Sequence, residues 1–203
     1  MNYKLNCLLA IVCLNTVALA APQTFDFKDP KGVNNAVFKL DAVLEAINGS
    51  ANGISGTVVF DPADPSATKG KIVIAAASLH VGNPTMKEHL HSAKWLDVAK
   101  HPEITFESKA LTNAKTTGDT TVADVAGVLT IKGISKEVTV PVKLTYLKDK
   151  LGQRVPNLKG DLLVLRANFS IKRSEFGINP GQFEEKVSDV IELTLSIAGA
   201  SPR

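Results

Sequence analysis

The sequence predicts an all-β fold: an extended antiparallel barrel of eight long strands, with one short helical segment near residues 84–98. Three observations carry this. Long stretches alternate apolar and polar residues with period two, the mark of strands with one buried and one wet face. Turn signals recur between them, at spacings that suit a sandwich or a barrel. The strands are also long, about ten to twelve residues against a usual five or six. So many long edges are best removed by closing the sheet.

Residues 1–20 read as a signal peptide. Lys4 supplies a basic n-region, and Leu5 to Leu14 is mostly apolar but too short to span a bilayer. Ala18-Leu19-Ala20 is a small-x-small cleavage site, so export to a periplasm or the outside is expected, with cleavage near Ala20. A retained anchor is disfavoured, because nothing apolar continues beyond Ala21. Both cysteines, Cys7 and Cys13, fall in this segment. Residues 21–203 are therefore expected to be one cysteine-free domain, long enough to bury a core without disulfides. Losing Lys4 lowers the formal charge from +3 to +2, and the remaining lysines are scattered. Nucleic acid, which calls for a concentrated basic face, is not expected as a partner.

A short strand is expected near Phe25, then one from Asn35 to Ile47 carrying Val37, Val43 and Leu44. The cluster Asn48-Gly-Ser-Ala-Asn-Gly53 reads as a turn. Ile54 to Phe60 is the next strand, ended by Asp61-Pro-Ala-Asp-Pro65. Gly70 to Leu79 follows, with Ile72 and Ile74 on one face. Asn83 then suits an N-cap and Pro84 the first helical position. Met86 and Leu90 share a helix face, and Lys94 to Val98 reads as a second short turn. Met86, Leu90, Trp95 and Leu96 are expected to turn inward as a plug, leaving Lys87, Glu88 and Lys94 to water. His101-Pro102 breaks this pattern, and Ile104 to Ser108 alternates as a strand.

The later strands alternate cleanly. Gly127, Leu129 and Ile131 share one face. Lys132-Gly133 turns the chain into Val138, Val140, Val142, Leu144 and Tyr146. Pro141, on the outer face, predicts an edge or a bulge there. Leu163, Leu165, Ala167, Phe169 and Ile171 form the next apolar face, and Ile191, Leu193, Leu195 and Ile197 the last.

Four segments in order carry a family resemblance. They are His89-Leu90-x-Ser92 with Trp95-Leu96-Asp97-Val98 and Pro102-x-Ile104-Thr105-Phe106-x-Ser108; Gly127 to Ile134; Arg173-x-x-Phe176-Gly177-Ile178; and Val187-Ser-Asp189-x-Ile191. Together they resemble the YceI-like family of bacterial polyisoprenoid-binding proteins, from about Thr24 to Ala198. Lys87-Glu88 stands where the family often has Arg-Asp, and the usual early histidine is missing near Asp41-Ala42. The resemblance implies a lipocalin-like barrel whose lumen holds a polyisoprenoid or isoprenoid quinone, with no further cofactor and no transmembrane anchor after processing. It leaves a homodimer open.

The inward faces supply the candidate site: Trp95, Phe106, Leu129, Ile131, Val140, Val142, Phe169 and Leu193. Periodicity alone allows these to be a packed core. An eight-stranded barrel has room for side chains or one ligand, and this inward set is short of aromatics to fill it. Arg173 either salt-bridges an acidic neighbour, the preferred reading for a partly buried arginine, or meets a ligand's polar head. The four histidines, His80, His89, His91 and His101, lie in one window. His89 and His91 point to different sides of a helix and no carboxylate pair reinforces them, so no metal site is expected. His89 is expected to be a hydrogen-bonded structural residue, with His91 and His101 exposed. No Gly-x-Ser-x-Gly or His-Glu-x-x-His motif supports catalysis, and no catalytic residue is assigned. Three functions remain: a lipid-binding carrier or store, a periplasmic stress factor or enzyme on the same barrel, or an interaction protein with a filled core. The state of the lumen discriminates them.

Overall fold

The computed structural model describes residues 21–203; the expected signal peptide and both cysteines lie outside them. The strands are β1 (Gln23–Asp26), β2 (Asn35–Asp41), β3 (Ala46–Ala51), β4 (Ile54–Phe60), β5 (Lys69–Ala75), β6 (His80–Val81), β7 (Glu103–Thr117), β8 (Thr120–Ile131), β9 (Ile134–Leu147), β10 (Gly160–Lys172) and β11 (Val190–Pro202). Two helices, α1 (Pro84–His91) and α2 (Leu151–Arg154), interrupt them.

The ring runs β1-β4-β5-β7-β8-β9-β10-β11 and closes through β1–β11, with antiparallel pairing throughout. It is an eight-stranded antiparallel barrel, as the alternation predicted. β1 takes only the Ala200 end of β11, and β2 pairs with its Glu192–Ser196 half. From there β2, β3 and β6 extend the wall.

The β8–β9 hairpin turns on Lys132 and Gly133, at φ of 51° and 74°. Positive φ at both central residues is the twist a tight hairpin requires. Pro141 sits where the β9–β10 ladder ends: Val142 pairs with Ala167, while residues 134–141 pair only with β8. Its missing donor thus falls on a half-edge.

The early strands differ from the expectation. Asn35 to Ile47 is two strands, turned at residues 42–45, where the Ala42 amide donates to the Glu45 carbonyl at 2.9 Å. Val43 and Leu44 sit on that turn, 92% and 64% exposed. The Asn48–Gly53 cluster is mostly strand. Gly49 lies opposite Phe38, whose ring occupies the place of a side chain; a Cβ there would fall 2.1 Å from Phe38 Cζ. This glycine admits an aromatic ring rather than a turn. The inward residues of β2 are Phe38 and Leu40, while Val37 faces outward. β5 ends at Ala75, and Ala76–Ser78 is a single 3-10 turn.

Two apolar clusters divide the interior. One gathers Phe25, Phe27 and Phe60 with Leu163 and Ile197 at the closed base. The Phe25 and Tyr146 rings meet edge to face there, 6.2 Å apart. The other gathers Phe38, Leu79, Leu96, Phe176 and Ile178 at the opposite end.

Polar pins hold the base. Buried Asn34 donates to the Phe27 and Ala198 carbonyls and accepts from the Ala198 amide at 2.9 Å. Arg154 donates to both Asn34 and Asp29 at 3.0 Å. Asp161, 1% exposed, accepts from the Tyr146 hydroxyl at 2.7 Å, the Asp149 amide at 2.8 Å and Arg203 at 2.5 Å. Burial pushes its carboxyl up, but those donors together hold it below the usual aspartate range. Its folded pKa lies below the unfolded one. The stability it contributes is therefore complete above the ordinary value of about 3.9 and is lost as pH falls through the depressed value. Asp161→Asn should lower the unfolding free energy by about 2 kcal/mol near neutral pH. In urea titrations, the difference from wild type should shrink below about pH 4. A difference that stays constant down to the acid limit would contradict the ionic reading.

Candidate functional site: the lumen and its mouth

Between the two clusters lies a cavity of about 1110 Å³. The geometry follows from the barrel: strands β7 to β11 each present one apolar face to it, and few of the inward groups are bulky enough to cross it. Trp95, Phe106, Leu129, Ile131, Val140, Val142, Phe169 and Leu193 all lie on its wall, and so does Arg173. The lumen is therefore not filled, which removes the filled-core alternative. The sequence reading missed Ala36, Phe38, Leu40 and Ile47, which line it from β2 and β3. Their signal was present as the alternation of residues 36, 38 and 40, hidden by joining the two strands into one.

Polar groups deep on the wall are already occupied. The Ser108 hydroxyl accepts from the Gly70 amide at 2.7 Å and donates to the Gly70 carbonyl at 3.1 Å. The Thr68 hydroxyl donates to the Pro65 carbonyl at 2.6 Å. Of the remaining polar lining, Glu45, His89, Lys94, Asn179, Gln182 and Lys186 gather at one end, and Asn179 Nδ2 is buried there without a hydrogen-bond partner among the described residues.

That end is the mouth, built from three segments. The first is α1 and the turns after it. Asn83 caps the helix by accepting from the Met86 amide at 3.1 Å, with Pro84 at the first position. Leu96 is buried, Leu90 and Trp95 are half-buried, and Met86 stays 36% exposed at the rim. The plug residues thus all reach the cavity, Met86 from an exposed position at its rim. The histidine roles are exchanged. His91 donates through Nε2 to the Leu79 carbonyl at 2.9 Å and pins the helix, whereas His89 is exposed at the mouth. His101 is half-buried, packed beside Gly133 rather than free in water.

The second segment is the loop from Gly177 to Asp189, and Arg173 organises it. Arg173 is 1% exposed. Its Nε donates to the Ser188 carbonyl at 3.2 Å, Nη1 to Ile178 at 2.7 Å and to Asn179, and Nη2 to Gln182 at 2.5 Å and Val187 at 3.1 Å. A guanidinium has five N–H donors, and all five are used. Neither sequence expectation holds: Arg173 pairs with backbone carbonyls instead of an acid, and no N–H is left for a head group. Trp95 lies under it, 5.9 Å from ring centroid to guanidinium carbon. Asp189 fastens the start of the loop, accepting from the Ser174 amide at 2.9 Å and its hydroxyl at 2.8 Å. The third segment is the β2–β3 turn, tied to the loop by the Leu44 amide donating to the Glu185 carbonyl at 2.9 Å.

An antiparallel barrel sealed by aromatics at its base, apolar within and open at one end is a lipocalin-like binding barrel. The YceI-like domain model matches residues 29–198, and the chain belongs to the YceI-like family. It is 34% identical over 151 residues to a UPF0312 protein of Pseudomonas paraeruginosa, covering 74% of this chain and 72% of that protein. A UPF0312 protein of Yersinia pestis is 35% identical over 151 residues, with the same coverage of 74% and 72%. Among solved structures, BcnA of Burkholderia cenocepacia superposes with a TM-score of 0.67 at 24% identity, covering 84% of this chain and 99% of that one. The Campylobacter jejuni YceI protein gives 0.63 at 26% identity, over 76% and 85%. A polyisoprenoid binding domain from Saccharophagus degradans gives 0.64 at 10% identity, over 90% and 100%, and so shares the fold.

The Arg173 geometry predicts a graded loss. Arg173→Lys keeps the charge but loses the fork, and should cost about 2 kcal/mol; Arg173→Ala should cost at least about 3 kcal/mol by orphaning buried carbonyls. Urea unfolding measures both. A loss below about 0.5 kcal/mol for the alanine variant would mean the loop does not depend on this side chain.

Proposed function

We propose that the chain is an exported, non-catalytic carrier or store that holds the tail of a polyisoprenoid or isoprenoid quinone in its lumen. The supporting observation is the apolar cavity of about 1110 Å³, closed at the base and open at the mouth. Likeness of fold to a polyisoprenoid binding domain agrees with it. The wall residues Phe106, Leu129, Ile131, Val140, Val142, Phe169 and Leu193 would contact the tail, and Trp95 would meet it near the mouth.

The energetics select long tails. Each buried carbon contributes about 0.8 kcal/mol, so a five-carbon unit gives about 4 kcal/mol. Association costs roughly 4–15 kcal/mol, which one or two units barely offset and several exceed. The tail enters first, because the Ser108 and Thr68 hydroxyls on the wall are already hydrogen-bonded, and the unpartnered Asn179 amide lies in the mouth loop. The head remains at the mouth with His89, Lys94, Gln182 and Lys186, which are exposed and, among the described residues, share no hydrogen bonds with one another. That arrangement suits solvation of a head group better than a nucleophile–base pair.

Organic extraction and mass spectrometry of the purified protein should recover a prenyl lipid, at about one per chain. Recovery of none, with no uptake of added isoprenoid or quinone, would contradict the reading. Val142→Phe should fill part of the lumen and weaken binding of long tails more than short ones; full retention of a long tail would displace the site from that depth. For export, N-terminal sequencing of periplasmic or secreted protein should begin at Ala21, and a start at Met1 would contradict it.

A further inference from the structure

The rim of the mouth carries apolar side chains that folding does not bury. Val43 and Leu44 are 92% and 64% exposed, Phe183 52% and Met86 36%. They come from the three mouth segments, which are in contact. The Leu44 amide bonds the Glu185 carbonyl at 2.9 Å, and Met86 shares a groove with Glu45 and Ile47. Met86 and Phe183 also line the cavity, so rim and lumen form one continuous apolar surface.

Phe183 is held at a φ of +61°, a region that bulky residues avoid. The turn that holds it there is closed by the Lys186 and Val187 amides donating to its carbonyl, at 2.9 and 2.7 Å. An aromatic fixed in that conformation and left half in water gains little from the fold itself. Exposed apolar groups gathered around an opening mark an interaction site.

We propose that the mouth docks on a zwitterionic phospholipid bilayer, with Val43, Leu44, Met86 and Phe183 entering the boundary between head groups and acyl chains. The proposal rests on the lumen reading above. Two features favour a bilayer over a protein partner. The patch meets the lumen at Met86 and Phe183, so a tail could pass from bilayer to lumen without crossing water, and Val43, Leu44 and Phe183 stand on turns instead of forming a flat face. The neighbouring charges decide the surface. The three mouth segments carry Glu45, Glu88, Glu184 and Glu185 together with Lys87, Lys94 and Lys186. Such a mixture suits a surface that itself carries both signs, and it lacks the basic cluster that draws proteins to anionic lipid.

The test uses the mature chain and its double variant Val43→Ser/Leu44→Ser, whose changed residues lie outside the cavity wall. Co-flotation with phosphatidylcholine vesicles is measured at low and high salt. Transfer of a fluorescent isoprenoid is measured from those vesicles and, separately, from detergent micelles. Wild type should float at both salt concentrations, because apolar insertion is not screened. The double variant should float at least about tenfold less and take up isoprenoid slowly from vesicles, yet load from micelles as wild type does. The proposal is overturned if wild type loads from micelles but does not float, or if the variant floats equally. Flotation only on anionic vesicles overturns it too, as does a wild-type dimer that the variant dissociates and that does not float. Failure of wild type to load from micelles would instead sink the lumen reading, and flotation alone would then judge the docking surface.

Discussion

Closing eight long strands encloses a space, and side-chain volume decides what becomes of it. In this chain the wall beyond the base is mostly aliphatic, and that decides it. Phe25, Phe27, Phe60 and Tyr146 crowd the base, and buried Asn34 and Asp161 pin the chain ends around them. Further along, the inward set is mostly Val, Leu, Ile and Ala, which do not reach across the barrel. Water gains little in such a space, whereas a hydrocarbon tail satisfies the same walls by contact. The cavity follows from aliphatic groups outnumbering rings along the wall, which Phe38, Phe106 and Phe169 also reach, rather than from any special residue.

The mouth needs a different device, since a loop that must leave an opening cannot be held by a packed core. Arg173 supplies it by inserting a charged fork into the loop's own backbone. The loop from residues 177 to 189 folds around five carbonyl contacts, with Phe176 and Ile178 buried on either side of the left-handed Gly177. Trp95 joins this loop to the turns after α1, and Leu44 joins it to the β2–β3 turn. Stability and access are thereby coupled at one end: loosening Arg173 would disturb the opening before it disturbed the base.

What the sequence revealed depended on which interactions have a period. β8 to β11 were legible because a strand with one apolar face repeats every second residue, and the Lys132-Gly133 turn because hairpin geometry demands positive φ. Seven of the eight lumen candidates lie on the cavity wall for the same reason, and Trp95 reaches it from the turns after α1. The β2–β3 hairpin was misread because Gly49 serves ring packing against Phe38, a pairing visible only across strands. The role of Arg173 was misread because its partners are main-chain carbonyls, which no side-chain pattern announces. His89 and His91 were exchanged because their difference is rotational: two residues apart on a helix, only one reaches the Leu79 carbonyl.

Trp95 is the single tryptophan of the chain and lies on the cavity wall, so its fluorescence reports on the lumen directly. Titrating the delipidated protein with a long-chain isoprenoid should move its emission to shorter wavelength as water leaves the indole, saturating at about one ligand per chain. An unchanged spectrum while the ligand demonstrably binds would place that ligand outside the barrel, and would contradict the claim that the lumen is the binding site.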